Sequence, residues 1–115
     1  MYQFSYADIQ SDSIADAKNR ERQLLDRSID LLVAAQAKGV NSIQTVEALH
    51  FLNRIWTTFI DDLGKSDNEL PKELRANLIS IGLWLLREAD AVRRGESDNF
   101  SGLIDISQII RDGIK

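Results

Sequence analysis

The sequence of 115 residues contains no cysteine, one proline and one histidine. Without cysteine there is no disulfide framework, no thiol nucleophile and no cysteine-ligated zinc site. The single histidine, His50, cannot form a histidine pair that binds a metal or relays protons. The sequence therefore predicts a protein with no metal site and no cofactor.

The sequence also lacks the residue arrangements that enzymes use. It has no glycine-rich phosphate loop and no nucleophile elbow, and no base stands ready to activate its serines. Asp61 and Asp62 are adjacent on a predicted helix, so their carboxylates diverge by about 100° and do not form a joint acid site. We therefore predict that the protein is not an enzyme and has no catalytic residues.

Basic residues are in the minority, because 14 Lys and Arg stand against 18 Asp and Glu, for a net charge of −4. Proteins that bind nucleic acids usually present a basic surface that neutralises phosphates. Here the basic residues are dispersed, and the one local excess, Arg93 and Arg94, is followed by Glu96. The charge pattern disfavours direct binding of RNA or DNA.

Long hydrophobic runs are absent as well. The most apolar stretch, ANLISIGLWLLREAD at residues 76–90, ends in charges and falls short of the ~20 apolar residues that span a bilayer as a helix. The first residues have neither a basic start nor an apolar core of a secretory signal. These features, with the lack of cysteine, predict a cytoplasmic protein without membrane contacts.

Apolar residues are spaced for helices, and strand-like alternation never persists. Hydrophobic residues make up 43% of the chain, which is enough for a single domain over residues 1–115 to close one core. Gly39, Gly64, Pro71 and Gly95 mark the predicted ends and starts of helices. We predict an all-α bundle of about four helices, three long and one short and C-terminal, at residues 13–37, 42–63, 71–94 and 101–111.

Each predicted helix carries an apolar stripe that should face the core. The stripe of helix one consists of Ile14, Ala17, Leu24, Leu25, Leu31, Leu32 and Ala35. That of helix two consists of Leu49, Leu52, Trp56, Phe59, Ile60 and Leu63. That of helix three consists of Leu74, Leu78, Ile81, Leu85, Ala89 and Val92. The last helix has Leu103, Ile106, Ile110 and Ile114 on one side.

Helix three carries more apolar surface than one stripe requires. A second patch, made by Ile79, Leu83 and Leu86, lies about 120° further round, and Trp84 falls among polar residues outside both. Tryptophan and arginine are enriched among the residues that carry binding energy. We therefore predict a partner-binding surface that comprises Ile79, Leu83, Trp84, Leu86, Arg87 and, on helix two, Phe51.

The sequence leaves three alternatives open. The N-terminal segment or another helix can cover Trp84 and Phe51, and the apolar girth of helix three can simply mean that it is central in the fold. The same surface can instead form a homodimer, since self-association and foreign partners use the same residue types. The short last helix is rich in β-branched residues and marginal alone, so a further hypothesis is that it occupies a partner groove and must be displaced.

Segments along essentially the whole chain are similar, in order and spacing, to those of a known family. They are MYQFSYADI, ERQLLDRSIDLLVAA, EALHFLNRIWTTFIDDL and the stretch from LPKEL to the end of the chain. The most specific pieces are LISIGLWLLRE and GLIDISQIIRDG, because amphipathic helices alone would not require them. The family that these segments resemble is FlaF, the flagellar biosynthesis regulators of alphaproteobacteria.

The resemblance implies a cytoplasmic protein that acts in the biogenesis of the bacterial flagellum. It implies flagellin, before export, as the partner, and a second regulator, FlbT, alongside which the family controls flagellin translation. The terminal regions of flagellin form amphipathic helices only when packed in the filament, so the apolar faces of the monomer need cover. A small helical bundle with excess apolar surface can receive such a segment by helix-in-groove packing.

The predicted function is therefore that of a flagellin-binding chaperone and regulator that supports flagellin synthesis and secretion. The alternative is a post-transcriptional regulator that acts on flagellin mRNA directly or through FlbT.

Overall fold

Four α-helices follow one another in the computed structural model, which describes the backbone of residues 6–114 and the side chains of residues 16–114. They are α1 (Tyr6–Lys38), α2 (Ile43–Leu63), α3 (Lys72–Arg93) and α4 (Phe100–Asp112). Three long helices and a short C-terminal one confirm the predicted all-α fold. α1 begins at Tyr6 rather than at residue 13, because no proline or glycine interrupts the helix between them.

The turns between the helices use residues that the sequence marks for this purpose. Gly39 after α1 and Gly95 after α3 have φ values of 93° and 78°, the left-handed conformation that glycine adopts at least cost. Ser42 caps α2, since its Oγ accepts a hydrogen bond from the backbone N–H of Thr45. Asn99 caps α4 in the same way. The ends of these helices are thus set by local chemistry.

α2 lies between α1 and α3 and packs against both, whereas α4 packs chiefly against α1. α3 and α4 make little contact with each other, although they are neighbours in the chain. All four helices contribute buried side chains to one apolar core. The core consists of Leu25, Ile29, Leu32 and Ala35 of α1, Ala48, Leu49, Leu52, Ile55 and Trp56 of α2, Leu85, Ala89 and Val92 of α3, and Phe100, Leu103 and Ile104 of α4.

The core differs from the predicted stripes most clearly in α1. Leu24, predicted to face the core, is 38% exposed, whereas Ile29 and Ser28 outside the predicted stripe are buried. A single stripe describes a helix with one neighbour, but α1 has both α2 and α4 as neighbours. Its buried surface is therefore wider than the stripe and turned toward α4. The predicted Ile14 lies outside the residues whose side chains are described.

Gly82 of α3 lies directly against α2. A Cβ added to Gly82 would stand 2.8 Å from Trp56 Cε3 and 3.0 Å from side-chain carbons of Ile60, which is closer than the optimal separation of carbon atoms. Trp56 is 2% exposed, and its ring packs edge-to-face on Phe59 with 5.4 Å between centroids. The indole thus occupies the space that the missing side chain of Gly82 leaves free.

Side-chain hydrogen bonds join α4 to α1 near both ends of α4. Arg111 Nε donates a hydrogen bond of 2.6 Å to Asp26 Oδ1. At the other end Gln36 Nε2 donates a hydrogen bond of 3.1 Å to Ser101 Oγ. The start of α4 thus pairs with the end of α1, and the end of α4 pairs with an earlier part of α1, so the two helices are antiparallel.

The buried face of α4 contains a hydroxyl group without a partner. Ser107 is 0% exposed, and its Oγ has no hydrogen-bond partner among the described residues. A buried polar group left unpaired costs about 1–3 kcal/mol. α4 is therefore held on α1 less firmly than its apolar side chains Leu103 and Ile104 alone would indicate.

We expect Gly82→Ala to lower the free energy of unfolding by about 1–2 kcal/mol, because overpacking against Trp56 outweighs the gain in helix propensity. Urea titration followed by circular dichroism measures the change. The control is Gly113→Ala, whose Cβ would meet carbonyl oxygens at 3.4 Å and 3.7 Å and should change stability by less than about 0.5 kcal/mol. A Gly82→Ala variant as stable as the native chain would contradict the tight packing.

Glu21 of α1 lies near Asp62 of α2, and the two negatively charged carboxylates repel each other. Partial burial raises the pKa of Glu21, and the nearby Asp62 carboxylate raises it further, although Lys18 and Arg20 lower it. Because the folded-state pKa lies above that of the unfolded chain, the unfolded chain ionises first. The fold therefore loses stability as the pH rises through the window between the two pKa values.

Glu21→Gln removes this penalty, so we expect it to raise the melting temperature at pH 7 by about 1–3 °C, a small effect because solvent screens the pair. Below pH 4.5, the ordinary pKa of a glutamate, the variant and the native chain should melt together. Thermal melts at the two pH values measure the difference. Glu47→Gln, an exposed glutamate of α2, is the control. A lower melting temperature for Glu21→Gln at pH 7 would refute the assignment.

Candidate partner-binding surface

An apolar stripe of α3 emerges from the core as the helix is followed toward its N-terminus. Val92 and Leu85 are 1% and 0% exposed, Ile81 is half-buried, and Leu74 is 43% exposed. Spacings of seven and four residues keep these side chains on one face of the helix. The apolar stripe of α3 is therefore covered by other helices at the C-terminal end of α3 and exposed to solvent at its N-terminal end.

α4 shows the same gradient from its own start. Leu103 is 0% exposed, whereas Ile106 and Ile110 are half-buried against the core. Because α3 and α4 make little contact, their apolar faces diverge beyond the turn that joins them. We call the space between them the open groove. From their helical positions and partial exposure we assign to its lining Leu74 and Ile81 of α3, Ile106 and Ile110 of α4, and Phe59 of α2.

Trp84 lies at the α3 rim of the open groove. Ile81, which lines the groove, lies one helical turn before Trp84, and Glu88 lies one turn after it. Glu88 accepts a hydrogen bond of 2.6 Å from Ser97 Oγ, in the turn that leads to α4, so this side of α3 faces α4. The side chain of Trp84 is 38% exposed, which leaves part of the indole accessible to a partner.

Leu83 and Arg87 lie elsewhere on α3. Leu83 is nine residues from Leu74, which places it about 180° round the helix from the groove-lining stripe. It is 38% exposed, and Arg87 is exposed beside it on the outer surface. The structure therefore does not bring Leu83 and Arg87 into the open groove.

Ile79 and Leu86 flank Gly82 on the side of α3 that meets α2. Both side chains are half-buried, and Leu86 packs against the core. Gly82, which lies between them, packs directly on Trp56 of α2. The contact with α2 therefore accounts for the apolar girth of α3 at these two residues.

Phe51 lies on the other side of α2, where α1 covers it. Its half-buried ring packs against the core, and the guanidinium carbon of Arg27 lies 5.6 Å from the ring centroid, within the range of a cation–π contact. The six residues predicted to bind a partner thus do not form one continuous surface. Their role in binding stays a prediction, and Trp84 is the one that borders the open groove.

The sequence pattern assigns Leu74, Ile81 and Phe59 to core stripes and so does not identify them as surface. Their exposure arises because α4 packs against α1 and leaves the N-terminal half of α3 uncovered. The spacing of apolar residues in the sequence does not indicate against which helix α4 packs.

A second concavity lies between the start of α2 and the end of α3. It is a cleft of ≈ 350 Å³, with Val40, Val46 and Leu49 among its apolar lining residues and Asp90 and Arg93 among its polar ones. Arg93 already pairs with Asp90 at 2.6 Å, so these charges satisfy each other.

Neither metal binding nor membrane spanning is indicated in the part of the chain that the structure describes. Within it, no three histidine or acidic side chains stand close enough together to hold a metal ion. None of its helices has both the length and the apolar character needed to cross a membrane.

The two tryptophans should contribute very differently to stability. We expect Trp56→Ala to cost about 3–5 kcal/mol of unfolding free energy, because it empties the buried site against Gly82. Trp84→Ala should cost less than about 1 kcal/mol, since its side chain is partly solvated. Urea titrations measure both losses. In a Trp56→Phe chain, where Trp84 is the one remaining tryptophan, acrylamide should quench the fluorescence readily. Equal losses for the two alanine variants would contradict the placement of Trp84 at the rim.

Comparison with known proteins adds an independent observation to this geometry. The family model described as flagellar protein FlaF matches residues 2–114. No curated protein and no solved structure matches the chain. The family match includes all four helices and every residue that lines the open groove.

Proposed function

Because the chain belongs to the FlaF family of flagellar proteins, we propose that it binds flagellin in the cytoplasm before export, as a chaperone and regulator of flagellin synthesis and secretion. The observation that carries this proposal is the open groove. Apolar side chains of α2, α3 and α4 line it, and they are half-buried or exposed. Exposed apolar side chains grouped on one side of a protein are characteristic of a site of protein interaction.

An α-helix is the ligand whose shape fits such a groove. Packed helices lie about 8–10 Å apart, so one additional helix can contact both α3 and α4 where these diverge. Its apolar residues would recur at i, i+3, i+4 and i+7 and pack against Leu74, Ile81 and Ile110. The terminal segments of flagellin have this amphipathic character, and in the monomer their apolar faces lack a partner.

Binding in the groove also offers a route to regulation. A chain that carries flagellin and a chain that is free differ in the apolar surface that they present. A second regulator such as FlbT can discriminate between the two forms by contacting this surface. Translation of flagellin would then respond to the amount of unexported flagellin without any contact between this chain and RNA.

Direct action on flagellin mRNA is the weaker alternative on electrostatic grounds. The basic pair Arg93 and Arg94 is engaged by acidic neighbours, since Asp90 lies 2.6 Å from Arg93 and 3.1 Å from Arg94, which also contacts Glu96 at 3.2 Å. The hydrogen bond from Arg93 lowers the pKa of Asp90 and favours its ionised form. Phosphate groups would have to compete with these carboxylates for the two arginines.

Calorimetric titration with purified flagellin tests the proposal, and two leucines of α3 provide a matched pair. Leu74 and Leu83 are 43% and 38% exposed and lie on opposite sides of the helix. Leu74→Asp should weaken flagellin binding by about tenfold or more, because it places a charge in the apolar contact. Leu83→Asp introduces the same charge on the outer side, and it should bind flagellin like the native chain.

Trp84→Ala should also weaken flagellin binding by about tenfold or more, as expected of an aromatic anchor at the rim of a binding site. Ile43→Ala is its control, because Ile43 is 69% exposed at the start of α2, away from the groove. Circular dichroism of each variant verifies that the fold is retained.

Three other outcomes would point elsewhere. If Leu83→Asp and not Leu74→Asp reduces binding, the site is the outer surface of α3. Normal binding by all the α3 variants would exclude a site on this helix. Specific retardation of flagellin mRNA in a gel, weakening steeply with salt, would support the alternative function. Sedimentation at two concentrations determines whether the same surface forms a homodimer.

A further inference from the structure

α4 covers one face of α1, which we call the α1 face. Arg22, Asp26 and Gln36 of α1 each hydrogen-bond to the C-terminal segment of the chain, at Ile114, Arg111 and Ser101 respectively. Ile29 lies seven residues from both Arg22 and Gln36, so it points in the same direction. With its buried neighbours Leu25 and Leu32, Ile29 forms the apolar centre of this face.

Several features make α4 the element that is most easily separated from the bundle. It has 13 residues, too few for a stable isolated helix, and its isoleucines are β-branched. The hydroxyl of its central Ser107 is buried and has no hydrogen-bond partner in the described part of the chain. The ion pair between Arg111 and Asp26 lies at the surface, with side chains 40% and 43% exposed. α3 gives α4 little support.

We propose that α4 is a replaceable occupant of the α1 face and that an amphipathic helix of the partner takes its place. α4 itself specifies the chemistry of that helix. Apolar residues at i, i+3 and i+4 correspond to Phe100, Leu103 and Ile104, and an arginine at i+11 corresponds to Arg111 and pairs with Asp26.

The open groove and the α1 face are adjacent, because α4 is the wall between them. When α4 leaves, the α1 face joins the part of the open groove that α2 and α3 form, with α2 between α1 and α3. A partner helix longer than α4 can then lie along both. The identification of this partner as flagellin rests on the proposed function, whereas the replacement of α4 does not.

The test uses the full-length chain and a fluorescent synthetic peptide with the sequence of residues 98–115, DNFSGLIDISQIIRDGIK. Fluorescence anisotropy measures binding of the peptide in place of α4. Arg111→Ala in the chain weakens the internal helix while the peptide keeps its arginine, so the peptide should bind about two- to fivefold more tightly. Ser107→Ala in the chain removes the unpaired hydroxyl, strengthens the internal helix and should weaken peptide binding.

A covalent link provides the sharpest control. Because the chain has no cysteine of its own, Asp26→Cys and Arg111→Cys introduce a single pair that a short bismaleimide can join. The unlinked double variant should bind the peptide, and the linked form of the same variant should not. Arg93→Ala removes an exposed arginine of α3, and it should leave peptide binding unchanged.

The proposal is overturned if no form of the chain binds the peptide. It is equally overturned if the link leaves peptide binding intact, or if Arg111→Ala and Ser107→Ala shift binding in the same direction. Flagellin then serves as a second probe of the same variants. The link leaves the open groove intact but denies access to the α1 face, so the linked form should bind flagellin more weakly than the unlinked form. Peptide exchange without any flagellin binding would refute the proposed function and leave the replacement of α4 standing.

Discussion

The packing of the Trp56 indole into the space at Gly82 holds α3 against α2, and the rest of the arrangement depends on it. With α3 held there, its apolar stripe runs from the core at Val92 to solvent at Leu74. α4 meets α1 instead, so the two outer helices belong to different neighbours. The open groove exists because these helices are anchored separately and meet only near the turn that joins them.

Charge plays a small part in what this surface can recognise. Several cations in the described part of the chain already face carboxylates: Arg111 pairs with Asp26, and Lys65 pairs with Asp62. Apolar area remains as the feature available to a ligand, and it consists of side chains from three helices. An apolar surface of this kind suits a helix from another protein better than a nucleic acid.

Local signals in the sequence were sufficient for the fold class and for the ends of most helices. Gly39 and Gly95 adopt the left-handed conformation, and Ser42 caps α2, because these effects depend on a few adjacent residues. The candidate site was less accessible, since helical spacing says which side chains share a face and not which helix will cover it. Leu74 and Leu83 look equally apolar in the sequence, yet only Leu74 lines the groove.

The contacts of α4 with α1 also determine the order in which the fold can assemble. α1 with α2, and α2 with α3, are neighbours joined by short turns, whereas the hydrogen bonds from α1 to the C-terminal segment join residues 85 and 92 apart in the chain. Local contacts form quickly, and closing a long loop costs more entropy. α4 also leaves the ribosome after α1, α2 and α3. During synthesis the α1 face is therefore uncovered at a stage when α1, α2 and α3 are already available to pack.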